Sequence, residues 1–326
     1  MTKPKVFVTR IIRDAGLDLV REFCDAEIWQ DDLPPTREVL LEKVRGLDGL
    51  LCLLTDRIDG EVLDVAGPQL KVVSNHAVGF DNIIVPDATA RGIPVGNTPG
   101  ILTDATADLA FALLLAAARR VSEAERYLRA GKWKTWSASM LLGVDLAGKT
   151  LGLVGFGRIG RAVAKRAAGF GLRVIYFSPN ATPEFGATPV SSLDELLHQS
   201  DFVSVHTPLN QSTRQMVNAE FLAKMKPNAV FVNTSRGQVV DQEALYQALT
   251  SSQIFAAALD VTDPEPLPMT SPLLTLENCL IVPHIGSASE KTRDDMARLA
   301  ANNLIAGLKG ERLPHCINPE VYTDNK

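Results

Sequence analysis

The sequence predicts an α/β protein made of two doubly wound parallel-sheet domains. Three observations predict it. Short apolar runs alternate with helical periodicity along almost the whole chain, which is the pattern of successive βαβ units. The 326 residues exceed what one hydrophobic core ordinarily serves, so two domains are expected. Finally, Thr150–Ala164, TLGLVGFGRIGRAVA, reads as strand, glycine turn and helix.

Taken in order, Lys5–Thr9 alternates as a strand, and Asp14–Cys24 places Ala15, Leu17, Leu19, Val20 and Phe23 at helical spacing. Pro34–Pro35 breaks the chain, and a helix restarts at Thr36 over Val39–Glu42. Gly49–Leu54 is a continuous apolar run, as expected of a parallel strand covered on both faces. A helix at Glu61–Ala66, a strand at Leu70–Ser74, a turn on Gly79 within HAVGFDNI, a helix at Pro86–Arg91 and a strand at Pro94–Asn97 complete the first region. One long helix is then expected from a cap at Thr103 or Asp104 to about Arg129, a shape suited to bridging two domains. Gly131–Leu142, with Trp133, Trp136 and Met140, is a loop rich in large apolar groups. Such a loop either folds onto its own domain or reaches a partner subunit. Strands follow at Leu151–Val154, Arg173–Phe177, Phe202–His206, Ala229–Asn233, Ile254–Asp260 and Cys279–Pro283, and a helix at Ser289–Leu308 ends at Gly310.

Composition narrows the function classes. With a net charge of -5 the chain has no nucleic-acid footprint. Cys24, Cys52, Cys279 and Cys316 are scattered without a C-x-x-C pair. Neither a metal site nor a disulfide framework is therefore expected, and reduced thiols in the cytoplasm are. The N-terminus MTKPKVFVTR lacks the shape of a signal peptide. The most apolar helical run, Leu109–Ala118, is too short for a membrane span of about 20 residues.

Gly155, Gly157 and Gly160 stand in the spacing G-x-G-x-x-G after an apolar strand and at the start of a helix. The first glycine permits the tight turn, the second lets backbone approach a pyrophosphate, and the third lets the helix pack close to the strand. The helix start presents unpaired N–H groups and a positive dipole end to the phosphates. A dinucleotide is the expected ligand.

Ligands of doubly wound sheets bind beyond the carboxyl ends of the strands. Three candidates lie there. Arg236, in NTSRG, offers a planar fork for a carboxylate. Glu265 lies between Pro264 and Pro266, and His284 follows the strand CLIVPH with Gly286 beside it. Singly, each also reads as a surface ion pair, a loop acid or a structural histidine. Together they describe reduction of a 2-oxo acid. The arginine binds the substrate carboxylate, and the carboxylate-paired histidine gives a proton to the carbonyl oxygen as hydride arrives.

With those residues in view, the chain resembles the D-isomer-specific 2-hydroxyacid dehydrogenase family, nearest its glyoxylate/hydroxypyruvate reductases. The resemblance is carried by LGLVGFGRIGRAVA, HTPLNQSTRQMVNAEFLAKMKPNAVFVNTSRGQVVDQEAL, AAALDVTDPEPLP, NCLIVPHIGSA, NHAVGFDNI, RGIPVGNTPG, LCLLTDRID and HIGSASEKTR, which span essentially the whole chain. It implies a Rossmann cofactor domain (residues 102–285) inserted in a flavodoxin-like substrate domain (residues 1–101 and 286–326). It implies catalytic roles for Arg236, Glu265 and His284. Substrate contacts are implied for Leu54, Val78, Gly79, Arg236 and Met140. Cofactor contacts are implied for Thr106, Gly155, Phe156, Gly157, Arg158, Ile159, Gly160, Ser178, Pro179, Asn180, His206, Thr207, Pro208, Thr213, Thr234, Ser235, Asp260, His284 and Gly286. A homodimer is also implied, which favours the arm reading of the Trp133–Met140 loop.

One place departs from an NAD-preferring pattern. Ser178 stands where an acid would bind the ribose 2′-hydroxyl, and no acid occurs from Arg173 to Pro183. NADPH is therefore expected over NADH, the alternative being a relaxed site that uses both. No arginine follows Ser178 in this loop, which leaves Arg158 as the candidate cation. The expected reaction converts glyoxylate and hydroxypyruvate to glycolate and D-glycerate. The alternatives are another 2-oxo acid, a phosphite oxidoreductase, or a nucleotide-sensing corepressor-like binding protein. The last is disfavoured because only PHCINPEVYTDNK follows the final helical region.

Overall fold

The structure, a computed structural model, describes residues 2–179 and 182–322. It divides into two compact units, residues 1–102 with 287–326, and residues 103–286.

The first unit is a parallel sheet of β1 (Lys5–Val8), β2 (Asp25–Ile28), β3 (Gly49–Cys52), β4 (Val72–Asn75) and β5 (Val95–Gly96), in the order β2-β1-β3-β4-β5. That is the flavodoxin-like order. Alternation along each strand builds a core on both faces. Phe7, Leu50, Cys52 and Val73 meet α2 (Arg37–Lys43), α3 (Gly60–Ala66) and α4 (Val85–Ala90). Val6, Val8, Leu51 and Val72 meet α1 (Asp14–Phe23) and the last helix, α11 (Glu290–Leu308). The end of the chain belongs to this unit because it completes the β5 edge. Ile317 N–H donates to the Val95 carbonyl at 2.8 Å, and the buried Asn318 amide accepts from Val95 N–H at 2.8 Å and donates to the Ile93 carbonyl at 2.9 Å. An edge left open would expose its unpaired backbone groups.

The second unit holds a seven-stranded parallel sheet. Its strands are β6 (Thr150–Val154), β7 (Arg173–Phe177), β8 (Thr188–Pro189), β9 (Phe202–Val205), β10 (Val230–Asn233), β11 (Ala256–Leu259) and β12 (Cys279–Ile281), in the order β12-β11-β10-β9-β6-β7-β8. The order reverses at β6, so the switch point lies between β6 and β9, the Rossmann arrangement with one added strand. Helices α5 (Thr103–Ala118) and α7 (Arg158–Ala167) cover one face, and α8 (Leu193–Gln199), α9 (Ala219–Ala223) and α10 (Gln242–Thr250) the other.

The predicted fold class is the observed one. Two kinds of detail differ. The strands β2 and β8 were not predicted. Both are edge strands with exposed positions, so neither carries the apolar run that marks a covered strand. The single helix expected from Thr103 to Arg129 is two helices, α5 and α6 (Val121–Arg129). Arg120 between them adopts a left-handed conformation (φ 53°), and its guanidinium grips Glu123 at 2.8 and 2.7 Å. No glycine signals the break, and α6 buries no residue. Among the described residues no helix is long and apolar enough to cross a membrane.

Candidate active site

Three loops beyond the carboxyl ends of β10, β11 and β12 carry the chemistry of the second unit. Asn233 ends β10, and its side-chain oxygen accepts from Ser235 N–H at 3.0 Å and Ser235 Oγ at 2.7 Å, while its amide donates to the Arg236 carbonyl at 2.9 Å. This turn holds Arg236 half-buried. Gly237 then packs so closely that a Cβ there would lie 1.8 Å from the Thr262 carbonyl oxygen. The Arg236 turn is thus seated on the loop that bears Glu265.

In that loop, which contains cis peptides at Asp263–Pro264 and Glu265–Pro266, Thr262 N–H donates to Glu265 Oε1 at 3.0 Å. The other oxygen, Oε2, lies 2.9 Å from His284 Nδ1. Burial pushes the Glu265 carboxyl up, but the hydrogen bond and charge of His284, the Thr262 N–H and the charge of Arg236 outweigh it, so its pKa is lowered. Glu265 is therefore an ionised acceptor that orients the ring through Nδ1 and leaves Nε2 to act on a substrate.

His284 occupies a left-handed conformation (φ 51°), a cost that the surrounding contacts must sustain. Its N–H donates to the Asp260 carbonyl at 2.9 Å, and the Asp260 carboxylate accepts from Ile285 N–H at 2.6 Å and Gly286 N–H at 2.9 Å. Burial raises the pKa of Asp260 against those N–H bonds. Thr106 Oγ1 closes the segment by donating to the Gly286 carbonyl at 3.1 Å. Asp260 and Thr106 thus hold the segment that carries His284.

The glycine turn links β6 to α7. Gly155 has φ 93°, and a Cβ on it would lie 2.7 Å from the His206 carbonyl oxygen. A Cβ on Gly160 would lie 2.4 Å from the Gly155 carbonyl oxygen, whereas nothing among the described residues lies within 4 Å of one on Gly157. The first and third glycines are close-packing sites and the second faces open space, as a phosphate cradle requires. Beside it, at the ends of β9 and β10, His206 Nδ1, Thr207 Oγ1 and Thr234 Oγ1 are buried without a partner among the described residues. Unpaired buried polar atoms around an open N-terminal helix turn fit the phosphates and ribose hydroxyls of a dinucleotide.

Other predicted cofactor positions have local duties. The Phe156 ring is buried and stacks on Tyr176 at 3.9 Å. The Thr213 hydroxyl donates to the Pro208 carbonyl at 2.7 Å, and that of Ser235 is spent on Asn233. Ile159 packs against the core and Arg158 is exposed at the first position of α7. Ser178 is half-buried at the end of β7, Pro179 is exposed, and Asn180 lies outside the described residues. Arg161 donates into the loop after β7, to Glu184 and Thr182.

In the first unit, the N–H groups of Val78 and Gly79 make no hydrogen bond among the described residues. Their carbonyls are tied, to Asn97 Nδ2 at 2.8 Å and Asn75 Nδ2 at 3.0 Å. Asn82 Nδ2 donates to the Leu53 and Asp56 carbonyls at 3.0 Å each, and the buried Asp56 carboxylate accepts from Leu53 N–H at 2.7 Å and Thr9 Oγ1 at 2.5 Å. The turn bearing the exposed Leu54 is thereby fixed. Met140 and Leu141 are half-buried in a loop whose other residues, 131–139 and 142, are exposed. Sequence reasoning missed the supporting residues Asn75, Asn82, Asn97, Asp56 and Thr262. Asn75, at the end of β4, and Asn97, just beyond β5, share one usable signal, a polar residue where an apolar strand ends.

The D-isomer specific 2-hydroxyacid dehydrogenase NAD binding domain matches residues 111–286. A glyoxylate reductase of Korarchaeum cryptofilum is 52% identical over 323 residues, covering 98% of this chain and 97% of the relative. The chain belongs to the D-isomer specific 2-hydroxyacid dehydrogenase family. A crystal structure of a protein from Thermus thermophilus is similar with a TM-score of 0.92 and 49% identity, covering 96% of this chain and 99% of that one. An NADPH-dependent glyoxylate/hydroxypyruvate reductase of Sinorhizobium meliloti, in complex with NADP and malonate, has a TM-score of 0.83 and 32% identity, covering 97% of each chain. The chain is thus an oxidoreductase with a nicotinamide-binding domain of this family, in the second unit.

Proposed function

We propose that this dehydrogenase reduces glyoxylate and hydroxypyruvate to glycolate and D-glycerate, with NADPH preferred over NADH. The observation that carries the chemistry is the 2.9 Å His284–Glu265 pair, with Arg236 close enough to lower the Glu265 pKa. The relatives named glyoxylate reductase support the substrate class.

When bound, the nicotinamide supplies hydride to the carbonyl carbon. His284 donates the proton to the carbonyl oxygen from Nε2, and Glu265 stabilises the imidazolium through Nδ1. Arg236 binds the substrate carboxylate with its fork; in the first unit, the N–H groups of Val78 and Gly79, without a partner among the described residues, are suited to an anion. Leu54 and Met140 shape the substrate side. The N-terminal turn of α7, with Thr207 and Thr234, holds the dinucleotide. The absence of an acid at Ser178 supports NADPH.

The assay is kcat/KM for a panel of 2-oxo acids, with phosphite included, using each cofactor. Glyoxylate and hydroxypyruvate with NADPH should lead. A larger oxo acid or phosphite in first place refutes the substrate reading, no turnover refutes the enzyme reading, and an NADH preference refutes the cofactor reading.

The reading includes a homodimer in the cytoplasm. The helix α6 buries nothing, and Val121, Leu128, Trp133, Trp136 and Leu142 are more than half exposed, a patch that suits a subunit contact. Sedimentation should give a dimer that Trp133→Ser with Trp136→Ser weakens. A wild-type monomer refutes it.

A further inference from the structure

Beyond the end of β7 the structure shows an arginine on a rigid mount. Gly155 N–H donates to the Phe177 carbonyl at 2.9 Å, which fastens the glycine turn to the end of β7, next to Ser178. Arg161, in the first turns of α7, donates from Nε to the Phe156 carbonyl at 3.2 Å. Its guanidinium carbon lies 5.7 Å from the centre of the Phe156 ring, which is itself stacked on the buried Tyr176. The fork points away from the helix toward the loop after β7. Nη1 donates to Glu184 Oε1 at 2.5 Å, and Nη2 reaches Thr182 Oγ1 at 3.4 Å.

The Arg161 and Glu184 side chains remain 31% and 41% exposed. An ion pair in contact with water is weak and easily exchanged. A phosphate dianion carries more charge than a carboxylate and takes an arginine fork in the same bidentate manner. The aromatic stack keeps the guanidinium in place whichever anion it holds. A hydroxyl on Thr182 and another on Ser178 flank the same loop.

We infer that Arg161 is the residue that binds the 2′-phosphate of the dinucleotide, and that Glu184 is its exchangeable counter-ion, which the phosphate displaces. This deepens the NADPH reading and rests on the second unit being the dinucleotide site. It supplies the cation that the loop sequence SPNATP lacks. It also makes Glu184 a specificity residue, since its carboxylate competes with the phosphate and tempers the preference for NADPH.

Binding of two probes to the whole protein tests this without turnover. Adenosine 2′,5′-bisphosphate carries the 2′-phosphate and adenosine 5′-monophosphate does not. Arg161→Gln should weaken the bisphosphate about tenfold or more and leave the monophosphate within about twofold. Arg161→Lys, which keeps the charge and loses the fork, should fall between. Glu184→Gln should tighten the bisphosphate about threefold or more and leave the monophosphate unchanged. Equal loss of both probes in Arg161→Gln, or loss of neither, overturns the assignment. An unchanged or weakened bisphosphate in Glu184→Gln overturns the counter-ion role. The wild-type kcat/KM with each cofactor separates this from the parent reading. An NADH preference alongside an intact Arg161 effect refutes the NADPH preference alone, whereas an NADPH preference that Arg161→Gln does not touch refutes the Arg161 assignment alone.

Discussion

Two strand ends of one sheet carry a histidine, and their surroundings differ. At the end of β9, His206 Nε2 lies 2.9 Å from Ser204 Oγ, while Nδ1 is buried without a partner among the described residues. Burial lowers its pKa to about 4, so it is neutral at physiological pH. At the end of β12, His284 is part-exposed and held at Nδ1 by the ionised Glu265. A strand end only delivers a side chain to the ligand side of the sheet. The carboxylate partner and access to solvent decide whether the imidazole moves protons or fills space.

The sharpest way to break that comparison is to remove each ring. His284→Ala should lower kcat about a thousandfold, the range of lost general acid catalysis, while the dinucleotide still binds. His206→Asn should cost far less in kcat. Comparable losses from the two would mean that the Glu265 pairing is not what separates them.

The next largest effect falls on the pair itself. Glu265→Gln should lower kcat about a hundredfold. Dinucleotide binding should stay as in the wild type, because the carboxylate acts through the ring and not on the cofactor. A kcat near the wild-type value would mean that Glu265 does not support proton transfer by His284.

Packing beneath the pair gives a smaller, structural effect. Gly237→Ala places a methyl 1.8 Å from the Thr262 oxygen and should cost about 2–4 kcal/mol, read as a lower denaturant midpoint. An unchanged midpoint would show that the Arg236 turn is not seated on the Glu265 loop.

The smallest effect is the pH dependence of stability. The folded pKa of His206, about 4, lies below its ordinary 6.5, so the unfolded chain binds the proton first. Stability therefore falls as pH drops from about 6.5 toward 4. Glu265, lowered when folded, contributes above its ordinary value and loses that contribution as pH falls through the lower folded one. His206→Asn should make the first window shallower, the remainder belonging to the buried His76, which is also lowered to about 4, and Glu265→Gln should flatten the second. Unfolding midpoints measured across acid pH would show whether the windows are separate.

Much of the fold was legible because strands covered on both faces need apolar residues throughout. β3 and β6 are buried at every position, and both were predicted within a residue or two of their ends. β2 was not, because an edge strand reading DAEI is half in water and carries no such demand. The break at Arg120 was invisible, since apolar spacing continues across it and a long side chain rather than glycine takes the left-handed conformation. In the candidate site, Arg236, Glu265 and His284 could be nominated from their place beyond strands. Two of their supports could not, because Thr262 acts through its backbone N–H and Gly237 through a close backbone approach, and neither leaves a pattern of spacing.

By itself the sequence determined the two-sheet α/β class, the glycine turn and the residue types available for chemistry. Each follows from local patterns: hydrophobic periodicity, the room a turn needs and the acid–base character of side chains. Only the tertiary structure decided which histidine meets a carboxylate, where Arg161 points, and that the chain end completes the first sheet. Those contacts join residues far apart in sequence, at loop ends where the chain's local preferences leave direction open, and direction at that scale is set by packing.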